Sequence, residues 1–427
     1  MTTTTPDLQP ATVPAPQHAP LHRQPLFVRF WTAQTVSVFG DQVSALAIPL
    51  TAVIVLHASA FAVGMLTATA WLPNLLFSLP AGVWIDARPH RRRVMIAADV
   101  ARAAALVTVP LAWWLDVLTV WQLLAVTFAV GSLTVFFDLA SNNFFVALVR
   151  RRQYVEAQSR LSTSRSTSYI AGPSIAGVLV QALGAPAALL ADAASFVASA
   201  LLLRTTDVAE PPVERSDTHP LRRLTEAFRH LFADPFLRAS LLCTATVNFF
   251  NFVLAALFVL FASRTLGLSA GTIGLVLGVG AVGGLAGALA APRIGRAVGA
   301  GRAVVIGAIV FPGSLALIPL AHGSHLVAAA MLFGAELGSA FGVMLFDVNQ
   351  NALLALHMPD AMRSRLVGAY RFVNYGTRPI GALIGGALGS AIGVRETLWI
   401  GVVGGMLGVL FLIGSPLARA RQEDYAL

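Results

Sequence analysis

The sequence predicts an all-α integral membrane protein: twelve transmembrane helices in two pseudo-symmetric six-helix bundles. Three observations predict it. Of 427 residues, 56% are hydrophobic and only 11% charged, against about 25% charged in a soluble domain, so too little charge remains to cover a water-exposed surface. Apolar stretches of the length that crosses a bilayer, about 20 residues, recur along the chain. Finally, all 29 Lys+Arg residues are arginine, and most of them collect in every second gap between those stretches. The groups are Arg88 with Arg91, Arg92 and Arg93; Arg150, Arg151 and Arg152; Arg204, Arg215, Arg222, Arg223 and Arg229; Arg293, Arg296 and Arg302; Arg363 and Arg365; and Arg419 and Arg421. Cytoplasmic loops carry the excess of basic residues. The alternation therefore predicts a multi-pass protein of the plasma (inner) membrane with both termini in the cytoplasm.

The elements follow in order. Residues 1–25, rich in Thr, Pro and Ala, lack the apolar core of a signal peptide and read as a disordered cytoplasmic tail. Spans at 27–56, 61–85, 94–115, 119–148, 165–184 and 186–204 make an N-terminal bundle, 26–204. Segment 205–237 holds Pro211, Pro212, charged residues and an amphipathic helix from Leu221 to Leu231, and reads as a cytoplasmic linker. Spans at 238–263, 270–291, 303–321, 325–350, 365–393 and 396–415 make a C-terminal bundle, 238–416, followed by a cytoplasmic tail, 417–427. Short turns such as His57 to Ala60 and His322 to Ser324 make neighbouring spans antiparallel.

The halves echo each other. Phe137-Asp138-Leu139 matches Phe346-Asp347-Val348 at an offset of 209, and Gly172-Pro173 in span 5 resembles Arg378-Pro379 in span 11 at an offset of 206. Two shared features at nearly one offset indicate duplication.

Several classes are excluded. The net charge of +9 is split into short arginine groups between apolar runs, which suits anionic lipid headgroups rather than nucleic acid. One cysteine, Cys243, forbids an internal disulfide and any multi-cysteine metal site. Without lysine no G-x-x-x-x-G-K-[S/T] nucleotide loop exists, and no nucleophile–base constellation stands out. The expectation is a non-enzyme without cofactor or metal, working as a monomer.

Ionisable residues inside spans are costly and usually face a cavity. Asp41 lies midway along span 1 and Glu336 midway along span 10; both are candidates for proton coupling, with a structural hydrogen bond as the other reading of Asp41. Asp138 and Asp347, toward the cytoplasmic ends of spans 4 and 10, suit a gate or interhelix pair. Asp99 and Arg102 are spaced i, i+3 and suit each other. Asn248, Asn251 and Phe252 in span 7, and Arg371, Asn374, Tyr375 and Arg378 in span 11, form polar and aromatic stripes that suit a bulky amphipathic ligand or an interhelical seam. Arg371 and Arg378 also suit an anionic group.

The loop after span 2, Gly82 to Arg93, resembles the major facilitator signature G-x-L-a-D-r-x-G-r-k through Gly82, Asp86 and the basic end with Arg88 and Arg91; Trp84, Ala87 and Pro89 depart from it. Gly82 permits close helix contact, and Asp86 suits a helix N-terminus. The corresponding second-half loop, Gly287 to Arg302, has Arg293 and Arg296 but no acid, so the latch is expected in the first half alone. Span 5, with Gly172, Pro173 and Gly177, resembles the G-x-x-x-G-P-x-x-G-G signature of drug/proton antiporters. With Thr35 to Pro49 and Pro359 to Arg365, these stretches make the chain resemble a major facilitator transporter of the macrolide-efflux and enterobactin-exporter-like branch. The resemblance implies alternating access by rocking of two halves and proton-driven export of small hydrophobic or amphipathic compounds, with Asp86 latching the outward-open state. An exporter of an endogenous metabolite such as a siderophore, and a non-transporting receptor, are the alternatives.

Overall fold

A chain in lipid must satisfy its own backbone, and helices do so within one segment. Helices are the only regular elements among the residues described, 20–88, 90–208, 220–359 and 362–420 of a computed structural model. The first half comprises α1 (Pro25–Leu50, extended by a π-helical turn, Thr51–Val55), α2 (Ala60–Asp86), α3 (Arg91–Trp114), α4 (Val120–Leu148), α5 (Tyr154–Leu183) and α6 (Ala185–Arg204). An amphipathic helix, α7 (Pro220–Ala233), leads to the second half. This holds α8 (Pro235–Leu260, extended by a π-helical turn, Phe261–Thr265), α9 (Ala270–Val298), α10 (Ala300–Ser314) with the short α11 (Leu317–Leu320), α12 (His325–His357), α13 (Arg363–Ala391) and α14 (Val394–Leu407). A last turn, α15 (Pro416–Arg419), closes the described chain.

Ten of these rods are long and apolar enough to cross a membrane. α5 and α13 have the length, 30 and 29 residues, but carry polar faces. Both lie where the halves meet, α5 against α9 and α13 against α2, which keeps part of their polar surface from lipid. Ten apolar rods and these two agree with a twelve-helix fold.

The repeat is exact enough to be read from helix starts. α1 and α8 begin 210 residues apart, as do α2 and α9; α3 and α10, α5 and α13, and α6 and α14 begin 209 apart. α1 and α8 each run 26 residues into a five-residue π-helical turn. Such turns are rare, and both close alike: Leu56 donates to the Thr51 carbonyl and Leu266 to the Phe261 carbonyl. This register corrects one pairing. Residue 382, not Pro379, stands opposite Pro173; the two prolines lie nearly a helical turn out of step.

Several helices outrun the apolar stretches that announced them. α5 starts at Tyr154, eleven residues before the apolar run, and its first turns hold an i, i+4 ion pair, Glu156–Arg160, at 2.9 Å. A helix leaving the hydrocarbon needs no apolar side chains to continue. The N-terminal segment is also anchored sooner than expected: Leu21, in a 3-10 turn, is fully buried with Phe27, Val149 and Ala157. The tail reading for residues 1–19 and 421–427, and the linker at 209–219, lie outside the described residues.

Helix association in lipid gains little from apolar burial and favours close backbone approach. Two glycine pairs supply that approach between the halves. A Cβ on Gly64 would lie 2.6 Å from the Gly386 Cα, and one on Gly274 would lie 2.8 Å from the Gly177 Cα. The pairs, α2–α13 and α5–α9, are equivalent under the repeat. Around them an apolar cluster crosses the interface, with Leu50, Val53 and Val63 beside Leu257, Phe261 and Leu398. At the other, arginine-rich end, the apolar clusters stay within one half or the other. Every hydrogen bond joining the halves between described residues lies at the arginine-poor end: Arg264 to Val53 and Ala58, Gln181 to Ser269 and Gly271, and Phe61 to Ser390. The halves are shut at that end and part toward the arginine-rich one.

Candidate substrate and proton sites

Charge in the first half gathers around Arg102. Its guanidinium pairs with Asp99, both side chains being essentially inaccessible, and lies between the rings of Phe196 at 4.0 Å and Phe137 at 4.5 Å. Thr134 accepts from it at 3.3 Å, and its Nε is buried with no partner. Asp192 accepts from Ser44 and from Ser195. Asp41, half-buried on α1, lies within electrostatic range of Asp192, Arg102, Asp138 and Asp99. Between described residues it forms no hydrogen bond or ion pair. Asp138 is exposed and in range of Arg102 and of Arg165 on α5; with two arginines in reach it faces the opening between the helices, not lipid. Four carboxyl groups thus lie in range of one buried guanidinium, and Arg165 reaches Asp138 as well.

The second half is built differently. A cavity of about 740 Å³ lies between α5 and the helices α8, α9, α10 and α12. Leu254, Phe258, Leu277 and Met344 give it apolar walls; Tyr169 and Asn251 add polar groups, and Glu336 is its one carboxylate. Gly280 leaves room beside that acid: a Cβ there would come within 3.4 Å of Glu336 Oε2. No cation lies in range of Glu336 among the described residues.

Between the halves, Trp71 of α2 stacks on Tyr375 of α13 at 6.1 Å and meets Phe252 of α8 edge-on at 5.4 Å. The three rings surround Arg378, whose guanidinium lies 4.3 Å from Trp71, 4.6 Å from Tyr375 and 5.3 Å from Phe252. Arg378 donates to Asn374 at 3.1 Å, and Asp347 is in electrostatic range. Its faces are therefore occupied by protein. Arg371 is exposed.

The other expected residues fall as follows. Asn251 reaches the cavity, but Asn248, three residues earlier, donates to its own helix at Thr244, at 3.0 Å. Asp138 and Asp347 form no ion pair with each other or with another described residue. Gly82 does not make the close contact expected of it: a Cβ there would meet nothing within 4 Å, because it sits on the parted end of α2. Arg88 stacks over Trp84 at 4.1 Å, and Arg91 is buried. The Asp86 side chain lies outside what is described. In α5, Gly172 packs on Gln42 of α1, while Gly177 and the Pro173 carbonyl face Gly274, so this motif belongs to the seam between halves.

Sequence reasoning missed Trp71, Arg264 and the Tyr370 hub, in which Ser240, Thr244 and Gln350 converge on one hydroxyl. A tryptophan in an apolar run carries no signal. Arg264 did carry one, as an arginine in a gap otherwise poor in them.

The chain matches the Major Facilitator Superfamily over residues 30–382. It belongs to that superfamily. It is a multi-pass membrane transporter, not an enzyme. It is 27% identical to the multidrug efflux pump Tap of Mycolicibacterium fortuitum, over 95% of this chain and 98% of Tap. It is 26% identical to macrolide efflux protein A of Streptococcus pyogenes, over 54% of this chain and 57% of that protein. In fold it is similar to a bacterial homologue of the iron transporter ferroportin. In that protein's inward-facing state the TM-score is 0.72, at 19% identity over 92% of this chain and 99% of the homologue. In its outward-facing state the score is 0.54, at 18% identity over 91% and 98%. The chain thus superposes better on the inward-facing form of that homologue than on the outward-facing one.

Proposed function

We propose that the protein exports small hydrophobic or amphipathic compounds across the plasma membrane by alternating access, in exchange for protons. The observation that carries this reading is the Glu336 cavity: large enough for a drug-sized molecule, mostly apolar, and bearing one acid without a protein cation. An amphipathic compound with a basic nitrogen would place its body on Leu254 and Phe258 and its charge beside Glu336. Its likeness to Tap and macrolide efflux protein A supports the export of such compounds.

The proton belongs to the other half. Four carboxyls around Arg102, with only Arg165 added beside Asp138, are a surplus of acid over base inside a membrane, where uncompensated charge is costly, and a proton that comes and goes on Asp41 offsets part of that surplus. With the arginine-rich face cytoplasmic, both termini lie inside, anionic headgroups meet the arginine groups, and the closed end is the outer one; the chain serves as a monomer. An anionic substrate such as a siderophore is less well served, since the rings of Trp71, Phe252 and Tyr375 occupy Arg378. The test is transport of a lipophilic cation and of a macrolide into inverted vesicles under an imposed pH gradient. Uptake by the wild type that is lost in Glu336→Gln supports the reading; no pH-driven uptake of any amphipathic compound overturns it.

A further inference from the structure

The last turn of a helix leaves carbonyl groups without backbone donors. At the arginine-poor end of α1, two such groups in and just after the π-helical turn are taken up from across the interface. Arg264, in the matching turn of α8, donates to the Ala58 carbonyl at 2.8 Å and to the Val53 carbonyl at 2.7 Å. Its equivalent under the 210-residue repeat is residue 54, an isoleucine, which has no donor to return. The two turns contact each other directly, so one half grips the other with a single guanidinium. The remaining bonds across this end are weaker in kind: Gln181 accepts from Gly271 at 3.1 Å and from Ser269 at 3.5 Å, and Ser390 accepts from Phe61 at 2.9 Å, all neutral.

We propose that Arg264 is the latch of this gate, a one-sided clamp that holds the outer end shut in the state described and releases Val53 and Ala58 when that end opens. This rests on alternating access. A guanidinium spans both carbonyls with its fork of donors and stays charged at any physiological pH. The clamp is therefore a fixed bias toward the outer-closed state, against which any proton or ligand bound elsewhere must work. Its acceptors are backbone atoms, so no substitution of Val53 or Ala58 side chains removes them.

Nitroxide labels on Val117→Cys and Leu326→Cys, exposed sites on opposite halves at this end, report the gate by double electron–electron resonance in lipid nanodiscs. Cys243 is fully buried, and Cys243→Ser provides the background. Without the clamp, Arg264→Ala raises the ratio of long to short distances about fivefold, the change expected from roughly 1 kcal/mol of net hydrogen bonding at an exposed site. Arg264→Lys, which keeps the charge but not the fork, falls between; it also serves if the alanine variant does not fold. A folded Arg264→Ala with a lowered melting temperature but an unchanged distance ratio overturns the latch and leaves a merely structural contact. If the wild type shows a single distance at every pH and with every compound tried, alternating access itself fails, and the latch with it.

Discussion

In the N-terminal half, charge is knotted: Arg102 lies between two phenylalanine rings, holds Asp99 and has three further aspartates in range. In the C-terminal half, Glu336 stands alone on a cavity wall, and the arginine of that region, Arg378, is boxed by aromatic rings nearer the midline. Five of the six helix pairs share their starts to within a residue, and the π-helical turns and glycine contacts follow the same register; of the chemistry, only the matching aspartates Asp138 and Asp347 recur, each in range of its own half's arginine. Duplication supplied the frame, and the polar side chains then diverged on it. The same divergence put Arg264 opposite an isoleucine. The difference suggests a division of labour, with protons handled in the first half and the compound in the second.

The comparison can be broken first at Arg102. Arg102→Met leaves Asp99 buried without its partner, which costs about 3–5 kcal/mol; the double variant Asp99→Asn with Arg102→Met recovers much of it. Thermal unfolding in detergent, read as a double-mutant cycle, checks this. Equal losses in the single and double variants would show that the pair is not what holds the knot. Next comes the seam that both halves share. A side chain at Gly177 starts with a Cβ 2.8 Å from the Ala270 carbonyl, and Gly177→Val costs about 1–3 kcal/mol of overpacking, with the outer end held partly open to impermeant thiol reagents at an introduced cysteine.

Glu336→Gln sharpens the contrast, since an acid without a protein partner contributes little to stability. The melting temperature stays close to that of the wild type, while affinity for a lipophilic cation falls about tenfold, roughly 1.4 kcal/mol. Fluorescence titration with a cationic dye and with a neutral compound of similar size separates charge from shape.

The smallest effect is expected outside the membrane. Asp234 caps α8 by accepting from Phe236 at 2.8 Å and Leu237 at 3.1 Å, and it meets His357 at 2.9 Å. Burial pushes its carboxyl up, but the His357 hydrogen bond and the backbone donors outweigh that and hold it below the usual range. A depressed carboxyl stabilises the fold fully above its unfolded value, about 3.9, and loses that contribution as pH falls through the folded value. Asp234→Ala therefore costs about 1 kcal/mol near neutral pH, and the gap from the wild type closes below about pH 4.

The spans and the duplication were legible because a bilayer imposes length and apolarity on every segment it contacts. The limits of legibility lay where that demand relaxes: α5 extends eleven residues past its apolar run, and α13 carries Arg371 and Arg378 on a membrane-length helix. The Asp99–Arg102 pair was legible because i, i+3 spacing fixes neighbours within one helix. What joins distant helices was not. Nothing in the sequence ties Trp71 to Arg378 across 307 positions, or Arg264 to the carbonyls of Val53 and Ala58, since a backbone acceptor has no residue type to recognise. Asp41 and Glu336 were singled out by cost alone, and the structure adds what surrounds each.

The central claim, protons on the Asp41 side and compound on the Glu336 side, is tested most directly by substrate-driven proton flux in proteoliposomes, measured beside equilibrium binding of the same compound. The account predicts that Asp41→Asn binds the compound with near wild-type affinity but drives no proton flux, whereas Glu336→Gln fails at binding. Wild-type coupled flux in a folded, inserted Asp41→Asn would contradict it.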